Sequence, residues 1–205
     1  MLIVIAAYLI GSIPFGYLVV NLTSGGDIRQ TGSGGTGATN VSRRAGKLAG
    51  VATLILDALK GAVAVFVAAK WCEQFQPNWV VADWIISGSA VAAIAGHIFP
   101  VWLRFRGGKG VATGAGVFLM LHPTVVLFAG VVFIVVVVLT RYVSLGSIIG
   151  AATIPLSIWL LHAFVRRELS VAPMLACATA GALLIIFAHR GNITRLVNGT
   201  EPKFS

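Results

Sequence analysis

Long runs of apolar residues alternate with short polar, glycine-rich stretches along this chain of 205 residues. A helix that crosses a bilayer needs about 20 mostly apolar residues. Five runs approach that length: Leu2–Leu22, Leu48–Trp71, Trp84–Leu103, Leu145–Leu161 and Pro173–Ala188. The pattern predicts an all-α integral membrane protein.

A further apolar stretch, residues 111–140, is long for one crossing and short for two. Proline is tolerated in the first turn of a helix and disfavours helix in the residue before it. We therefore predict two short crossings that meet at His122–Pro123, which gives a seven-helix bundle forming a single domain over residues 1–205. A signal peptide is the weaker interpretation of the first run, which has no positively charged start.

Composition supports a membrane protein, because 58% of the residues are hydrophobic and only 10% are charged. The mean hydropathy is +0.94. A soluble domain of this size could not bury so much apolar surface, and a disordered chain would be far more polar. Cys72 and Cys177 lie in no recognisable motif, so we expect no disulfide framework.

The net charge of +9 is unevenly distributed between the loops. In a seven-helix topology one side carries eleven of the 15 basic residues: Arg29, Arg43, Arg44, Lys47, Arg104, Arg106, Lys109, Arg141, Arg190, Arg195 and Lys203. The other side carries Arg166 and Arg167, with Lys70 at its border. Basic loops favour the cytoplasmic side, so we predict an external N-terminus and a cytoplasmic C-terminus.

Two of the predicted cytoplasmic loops have the composition of an anion site. Residues 23–44 combine glycines with hydroxyl, amide and guanidinium groups, and residues 97–113 place Lys109 among glycines just before a predicted helix. Glycine lets backbone N–H groups approach an anion, and a helix N-terminus favours negative charge. The alternatives are a flexible linker for the first loop and simple interface anchoring for the second.

Two other loops add candidate groups at the same face, namely Thr140–Ser144 and His189–Glu201. His189 is the better functional candidate among the four histidines, while His97 either acts or merely orients its turn. Asp57 and Lys60 fall inside a predicted span, where charges are usually paired or functional. They could pair with each other, or Asp57 could hold an arginine of the first loop.

Four motifs together resemble one family. They are Gly-Ser-Ile-Pro-Phe-Gly-Tyr at 11–17, GSGGTGATN at 32–40, the block from His97 to Thr113, and the tail from His189 to Glu201. The chain resembles the PlsY family, the bacterial membrane acyl-phosphate:glycerol-3-phosphate acyltransferases. The resemblance implies a seven-helix bundle in the bacterial inner membrane. It also implies transfer of a fatty acyl group to the 1-hydroxyl of glycerol 3-phosphate, giving lysophosphatidic acid and phosphate for phospholipid synthesis.

The resemblance also implies roles for particular residues. Predicted catalytic residues are His189, Lys109 and Ser33; predicted substrate-binding residues are Thr39, Asn40, Arg43, Gly107, Gly108, Ser144 and Asn192; Glu201 is predicted to be structural. The family usually has asparagine where this chain has Gly35, so we assign Gly35 no side-chain role. For the acyl chain we expect an apolar groove, with Trp102, Phe105 and Phe118 as candidate walls.

There are two candidates for the group that accepts the proton of the attacking hydroxyl. One is a substrate phosphate, with His189 orienting the hydroxyl, and the other is His189 itself. We expect no metal, because no carboxylate cluster is present, and no cofactor. The expected partners are the two phosphate substrates and membrane lipid, with no nucleic acid and no obligate protein partner. The main alternative function is a membrane transporter of organic phosphates, for which a basic, glycine-rich site would also be suitable.

Overall fold

A computed structural model describes residues 1–164 and 171–204, so Arg166 and Arg167 lie outside the described residues. In these ranges there are ten α-helices and no strands. They are α1 Leu2–Ser12, α2 Phe15–Thr23, α3 Ala38–Ala45, α4 Lys47–Phe75, α5 Trp79–Ile98, α6 Val111–Leu121, α7 Pro123–Thr140, α8 Val143–Phe164, α9 Ala172–Ala188 and α10 Arg190–Val197. Short 3-10 helices lie at Ile28–Gln30 and Val101–Leu103. The all-helical prediction is confirmed for these residues.

Five segments are long and apolar enough to cross a membrane. They are Leu2–Thr23, Lys47–Phe75, Trp79–Leu103, Pro123–Thr140 and Val143–Phe164. The α9–α10 pair makes a sixth candidate if it counts as one span bent by 59°. Helix α6 has 11 residues, which is about 16 Å at 1.5 Å per residue. That is about half of the 30 Å hydrocarbon thickness.

The predicted break in the 111–140 stretch is present. Helix α6 ends at Leu121, and α7 begins with Pro123 at its first position. His122 between them is extended, with φ −154° and ψ 80°. Proline lacks an N–H and restricts the residue before it, which explains why the helix stops here. The first span is broken in the same way, between Ser12 and Phe15, at Pro14.

Glycines bring helix backbones into direct contact at the centre of the bundle. A Cβ on Gly61 of α4 would collide with the Thr113 carbonyl oxygen, and a Cβ on Gly116 of α6 with that of Ala58. A Cβ on Gly11 of α1 would likewise collide with the Ala93 carbonyl oxygen of α5. Lipid tails are as apolar as the helices, so such close packing is a main source of helix association in a membrane.

Two helices lie within segments that the hydrophobic pattern leaves as loops. Helix α3 follows the glycine-rich stretch and buries Val41 against Val20 and Ile28. Helix α10 follows α9 after the bend at His189. Both helices are polar and amphipathic, so they escape a search for long apolar runs.

We predict that Gly116→Ala lowers the Tm of the detergent-solubilised protein, because the added methyl group would collide with the Ala58 carbonyl. Overpacking of this kind costs about 1–3 kcal/mol. Gly88→Ala is the matched control, since its Cβ would make only an ordinary contact of 3.9 Å with Val4. Alanine is about 1 kcal/mol better than glycine within a helix, so the control should be neutral or stabilising. Equal Tm values for the two variants would contradict the α4–α6 contact.

Candidate active site

Asn40 organises the glycine-rich loop that precedes α3. Its side-chain amide donates to the carbonyl oxygens of Ile28, Thr31 and Gly35 at 2.9–3.3 Å. Its Oδ1 accepts from the Ser33 N–H at 3.3 Å. The side chain is buried and these partners use its hydrogen-bonding capacity. Asn40 therefore shapes the loop, and its predicted contact with a substrate stays a prediction.

Arg29 connects this loop to the next one. Arg29 pairs with Asp27 at 2.6 Å, and its Nη1 donates to the Leu103 carbonyl oxygen at 3.0 Å. Arg29 also lies over the ring of Tyr17 at 5.8 Å. The first glycine-rich loop and the turn after α5 are thus held against each other.

The backbone amides of Gly107 and Gly108 are not available to a phosphate. The Gly107 N–H donates to the Ile98 carbonyl at 3.1 Å, and the Gly108 N–H to the His97 carbonyl at 3.2 Å. A side chain on either glycine would collide with this turn. These N–H groups fold the loop back onto α5, and the predicted role of the two glycines in holding phosphate stays a prediction.

The loop continues from Lys109 to Ala112 and leads into α6. Gly110 takes a left-handed conformation with φ 80° and begins α6, whose first N–H groups have no intrahelical acceptor. Burial lowers the pKa of Lys109 to about 8; the carboxylate of Glu201 raises it, and Arg195 and Arg43 lower it. No carboxylate of the described residues lies within 4 Å of the Lys109 ammonium, so its charge is available to a ligand.

Glu201 gathers three side chains from two elements. Its Oε1 accepts from Ser144 Oγ and Asn192 Nδ2, both at 2.6 Å, and its Oε2 accepts from Arg195 Nε at 2.8 Å. Burial raises the pKa of Glu201, but these three hydrogen bonds outweigh burial and hold the pKa below its usual value. Glu201 is therefore an anion that joins α8 to α10.

The C-terminal tail is tied down beyond Glu201. The Phe204 N–H donates to the Arg141 carbonyl at 2.7 Å, and Arg141 Nε donates to the Phe204 carbonyl at 3.2 Å. The Lys203 ammonium lies 5.8 Å from the centre of the Tyr142 ring. The tail thereby covers the turn between α7 and α8.

His189 lies at the bend between α9 and α10 and is 2% exposed. Its Nδ1 lies 2.8 Å from the Ile185 carbonyl oxygen. A carbonyl only accepts, so Nδ1 carries the proton and Nε2 keeps its lone pair. Burial lowers the pKa of His189 to about 4, the bond to Ile185 opposes that decrease, and the charge of Lys109 adds to it. The imidazole is neutral at physiological pH.

One cavity of about 670 Å³ brings these groups together. Of the residues predicted from the motifs, it is lined by Ser33, Thr39, Asn40, Arg43, Gly108, Lys109, Ser144, His189, Asn192 and Glu201. Gly107 does not border it. Among residues 1–164 and 171–204, no group of three His, Cys, Asp or Glu side chains could hold a metal ion.

The same cavity continues as an apolar groove between α6, α7, α8 and α9. Its lining there includes Phe118, Val126, Ala129, Phe133, Ile154, Ala178 and Ile185. Of the three predicted walls, only Phe118 lines it. Trp102 and Phe105 are 62% and 59% exposed and lie elsewhere, because the turn after α5 directs them outward, with Arg104 and Phe105 at positive φ.

Residues 1–199 match the family model described as glycerol-3-phosphate acyltransferase. The chain belongs to this family. The resemblance drawn from the sequence motifs is thereby confirmed.

Relatives that carry the same name extend over nearly the whole chain. The one from Geobacter sulfurreducens is 48% identical over 198 residues, covering 97% of this chain and 94% of its own length. The one from Syntrophotalea carbinolica is 47% identical over 204 residues, covering 99% and 96%.

The fold is similar to crystal structures of PlsY, an integral membrane glycerol 3-phosphate acyltransferase, in its glycerol 3-phosphate and lysophosphatidic acid forms. The TM-scores are 0.86 and 0.83, at 39% and 38% sequence identity. Each comparison covers 100% of this chain and 94% of the PlsY chain. This chain therefore shares the all-helical, integral membrane fold of its family.

Sequence reasoning assigned no role at the site to Arg195, Pro202 or Phe204, which all line the cavity. Arg195 lines the cavity and donates to Glu201. Its position three residues after Asn192 places both side chains on one face of a helix, and this spacing could have indicated it. Pro202 and Phe204 also line the cavity. No local pattern indicates the tail, because its position depends on Arg141, 63 residues away in the sequence.

We predict that Glu201→Gln moves the pKa of Lys109 below about 8, because the carboxylate now raises that pKa. The pH dependence of Lys109 labelling by an amine-reactive reagent measures the change. Any activity that needs the ammonium should then be lost at a lower pH than in the wild type. Glu73→Gln is the control, since Glu73 pairs with Lys70 on the exposed end of α4. An unchanged Lys109 titration in Glu201→Gln would show that the two groups are not coupled.

Proposed function

We propose that this family member transfers a fatty acyl group from an acyl phosphate to the 1-hydroxyl of glycerol 3-phosphate. The products are lysophosphatidic acid and inorganic phosphate. The observation that carries the proposal is the single cavity, which joins a cationic, hydroxyl-lined end to an apolar groove. An acyl phosphate has the same two parts, a phosphate head and a hydrocarbon tail.

The cationic end suits two phosphates. Lys109 and Arg43 supply positive charge, and Ser33 and Thr39 supply hydroxyl donors at the same wall of the cavity. With a pKa of about 8 for Lys109, roughly nine-tenths of the ammonium is charged at pH 7. The first turn of α6 adds backbone N–H groups beside it.

In the proposed reaction the 1-hydroxyl oxygen attacks the acyl carbonyl carbon, and the bond from that carbon to the phosphate oxygen breaks. Negative charge develops on the carbonyl oxygen, where donors such as the Ser33 hydroxyl stabilise it; such a donor contributes about 3–4 kcal/mol. Lys109 stabilises the departing phosphate. Holding both substrates in one cavity supplies a further part of the rate enhancement.

A substrate phosphate is the proposed proton acceptor. A phosphate monoester has a second pKa of about 6, whereas the pKa of His189 is about 4. Burial thus weakens His189 as a base and favours the phosphate as the acceptor. His189 accepts at Nε2 a hydrogen bond from the other hydroxyl of glycerol 3-phosphate, so that the 1-hydroxyl is oriented with its proton toward the phosphate. Asn192, Ser144 and Glu201 keep α10 and α8 in place around this group.

The proposed topology has seven crossings, with α6 and α7 as two short ones, in the inner membrane of a bacterium. The N-terminus is external, and the polar end of the cavity faces the cytoplasm. The helix break at His122–Pro123 and the basic loops beside the cavity support this arrangement. The chain acts as one domain without a cofactor or an obligate protein partner.

The test uses purified protein in detergent with glycerol 3-phosphate and either palmitoyl phosphate or palmitoyl-CoA. We expect lysophosphatidic acid and phosphate to form in equal amounts with palmitoyl phosphate alone. Turnover only with palmitoyl-CoA would overturn the donor assignment. Without turnover from either donor, uptake of glycerol 3-phosphate into proteoliposomes would favour the transporter.

We predict that His189→Gln lowers kcat about 10- to 1000-fold while the acidic limb of the pH profile stays near pH 6, where the substrate phosphate titrates. His122→Gln is the control, because His122 lies at the α6–α7 break and contacts Thr124. If His189 were the base, the acidic limb of the wild type would lie near pH 4 and disappear in His189→Gln. The pH dependence of kcat distinguishes the two roles.

A further inference from the structure

A buried ion pair lies at the wall of the cavity, which Asp57 and its neighbour His97 help to line, and the proposed reaction does not use it. Asp57 Oδ1 lies 2.8 Å from Lys60 Nζ on α4, and the two side chains are only 2% and 3% exposed. Among the described residues, the other ion pair on α4 is Lys70–Glu73. It has the same spacing but is more than half exposed.

Each member of the pair has a second partner on another element. Lys60 Nζ donates to the Ile13 carbonyl at 2.7 Å, where Pro14 interrupts the first span. Asp57 Oδ1 lies 3.5 Å from His97 Nδ1 at the end of α5. That nitrogen also lies 3.0 Å from Thr113 Oγ1 on α6. The pair thus connects α1, α4, α5 and α6.

His97 carries this connection to the loop that holds Lys109. The Gly108 N–H donates to the His97 carbonyl, and the His97 ring lies so close to Gly108 that no Cβ would fit between them. Gly108 is bonded directly to Lys109. The backbone at Lys109 therefore rests on His97, which is flanked by Asp57 and Thr113.

A contribution to the stability of the fold does not by itself explain why these charges are buried. Desolvating two charges offsets most of their attraction, so apolar residues of similar volume often give an equally stable protein. Removing one partner is strongly destabilising, because the other charge stays buried without compensation. The pair contacts Ile13 directly after α1 and His97 of α5, and His97 contacts Thr113 of α6 and the backbone just before Lys109. These contacts favour a role in setting the geometry of the loop.

We propose that Asp57, Lys60 and His97 are positioning residues, which hold the 107–110 loop so that the Lys109 ammonium meets a substrate phosphate. The identity of that phosphate rests on the proposed function. The three side chains act on the substrate through the loop backbone.

The central test is the double variant Asp57→Leu/Lys60→Met, which replaces both charges with apolar side chains. We expect Asp57→Leu alone to lower the Tm and the double variant to recover it within about 2 °C of the wild type. The concentration of glycerol 3-phosphate or inorganic phosphate that gives half-maximal thermal stabilisation should remain raised, by up to about 100-fold, because a displacement of about 1 Å costs that much. Lys70→Met/Glu73→Gln is the control and should change neither quantity.

Thr113→Val is the second variant, because it leaves the ion pair intact and removes only the hydroxyl beside His97. We expect a raised KM for glycerol 3-phosphate or palmitoyl phosphate, with kcat changed less than KM. Recovery of both Tm and phosphate affinity in the double variant would overturn the proposal, as would wild-type affinity in a well-folded Thr113→Val. Phosphate binding is measured without turnover, so a failure of acyl transfer is distinguished from a failure of positioning.

Discussion

The backbone contact between α4 and α6 at Gly61 and Gly116 is the constraint on which the site depends. A helix as short as α6 cannot be positioned by the bilayer at both of its ends. Its depth is set instead by packing against α4, which is long enough to span. Because Lys109 directly precedes the first turn of α6, the same contact sets the height of the ammonium relative to His189 and Glu201.

The site combines partial burial with an excess of positive charge. Burial lowers the pKa of Lys109 to about 8 and that of His189 to about 4. At neutral pH the Lys109 ammonium is still largely charged, whereas the His189 imidazole is neutral. Glu201 is the carboxylate that raises the pKa of both groups, and its oxygens already accept from three donors. The uncompensated charge at Lys109 and Arg43 is what a phosphate can neutralise.

The sequence was sufficient for the long apolar helices, because bilayer thickness imposes a length on apolar runs, and for the break at Pro123, because proline restricts the backbone; the count of seven crossings stays a prediction. It was sufficient for ten residues of the cavity lining, since the loop motifs carry them. It could not show that the Gly107 and Gly108 amides are occupied, because their acceptors belong to the end of α5. The positions of the tail and of Trp102 likewise depend on contacts between elements that are distant in sequence.

Only two residues of α7 are buried, Val125 and Ala129. The same helix nevertheless forms part of the groove wall through Val126, Ala129 and Phe133. A single helix therefore separates the groove from the surrounding lipid along this side. A hydrocarbon tail that leaves the bilayer for this groove moves from one oil-like phase to another and gains little free energy from leaving water. Retention of a lipid substrate in the groove then depends on the head group of that lipid. The relevant substrate concentration is the mole fraction of the lipid in the membrane.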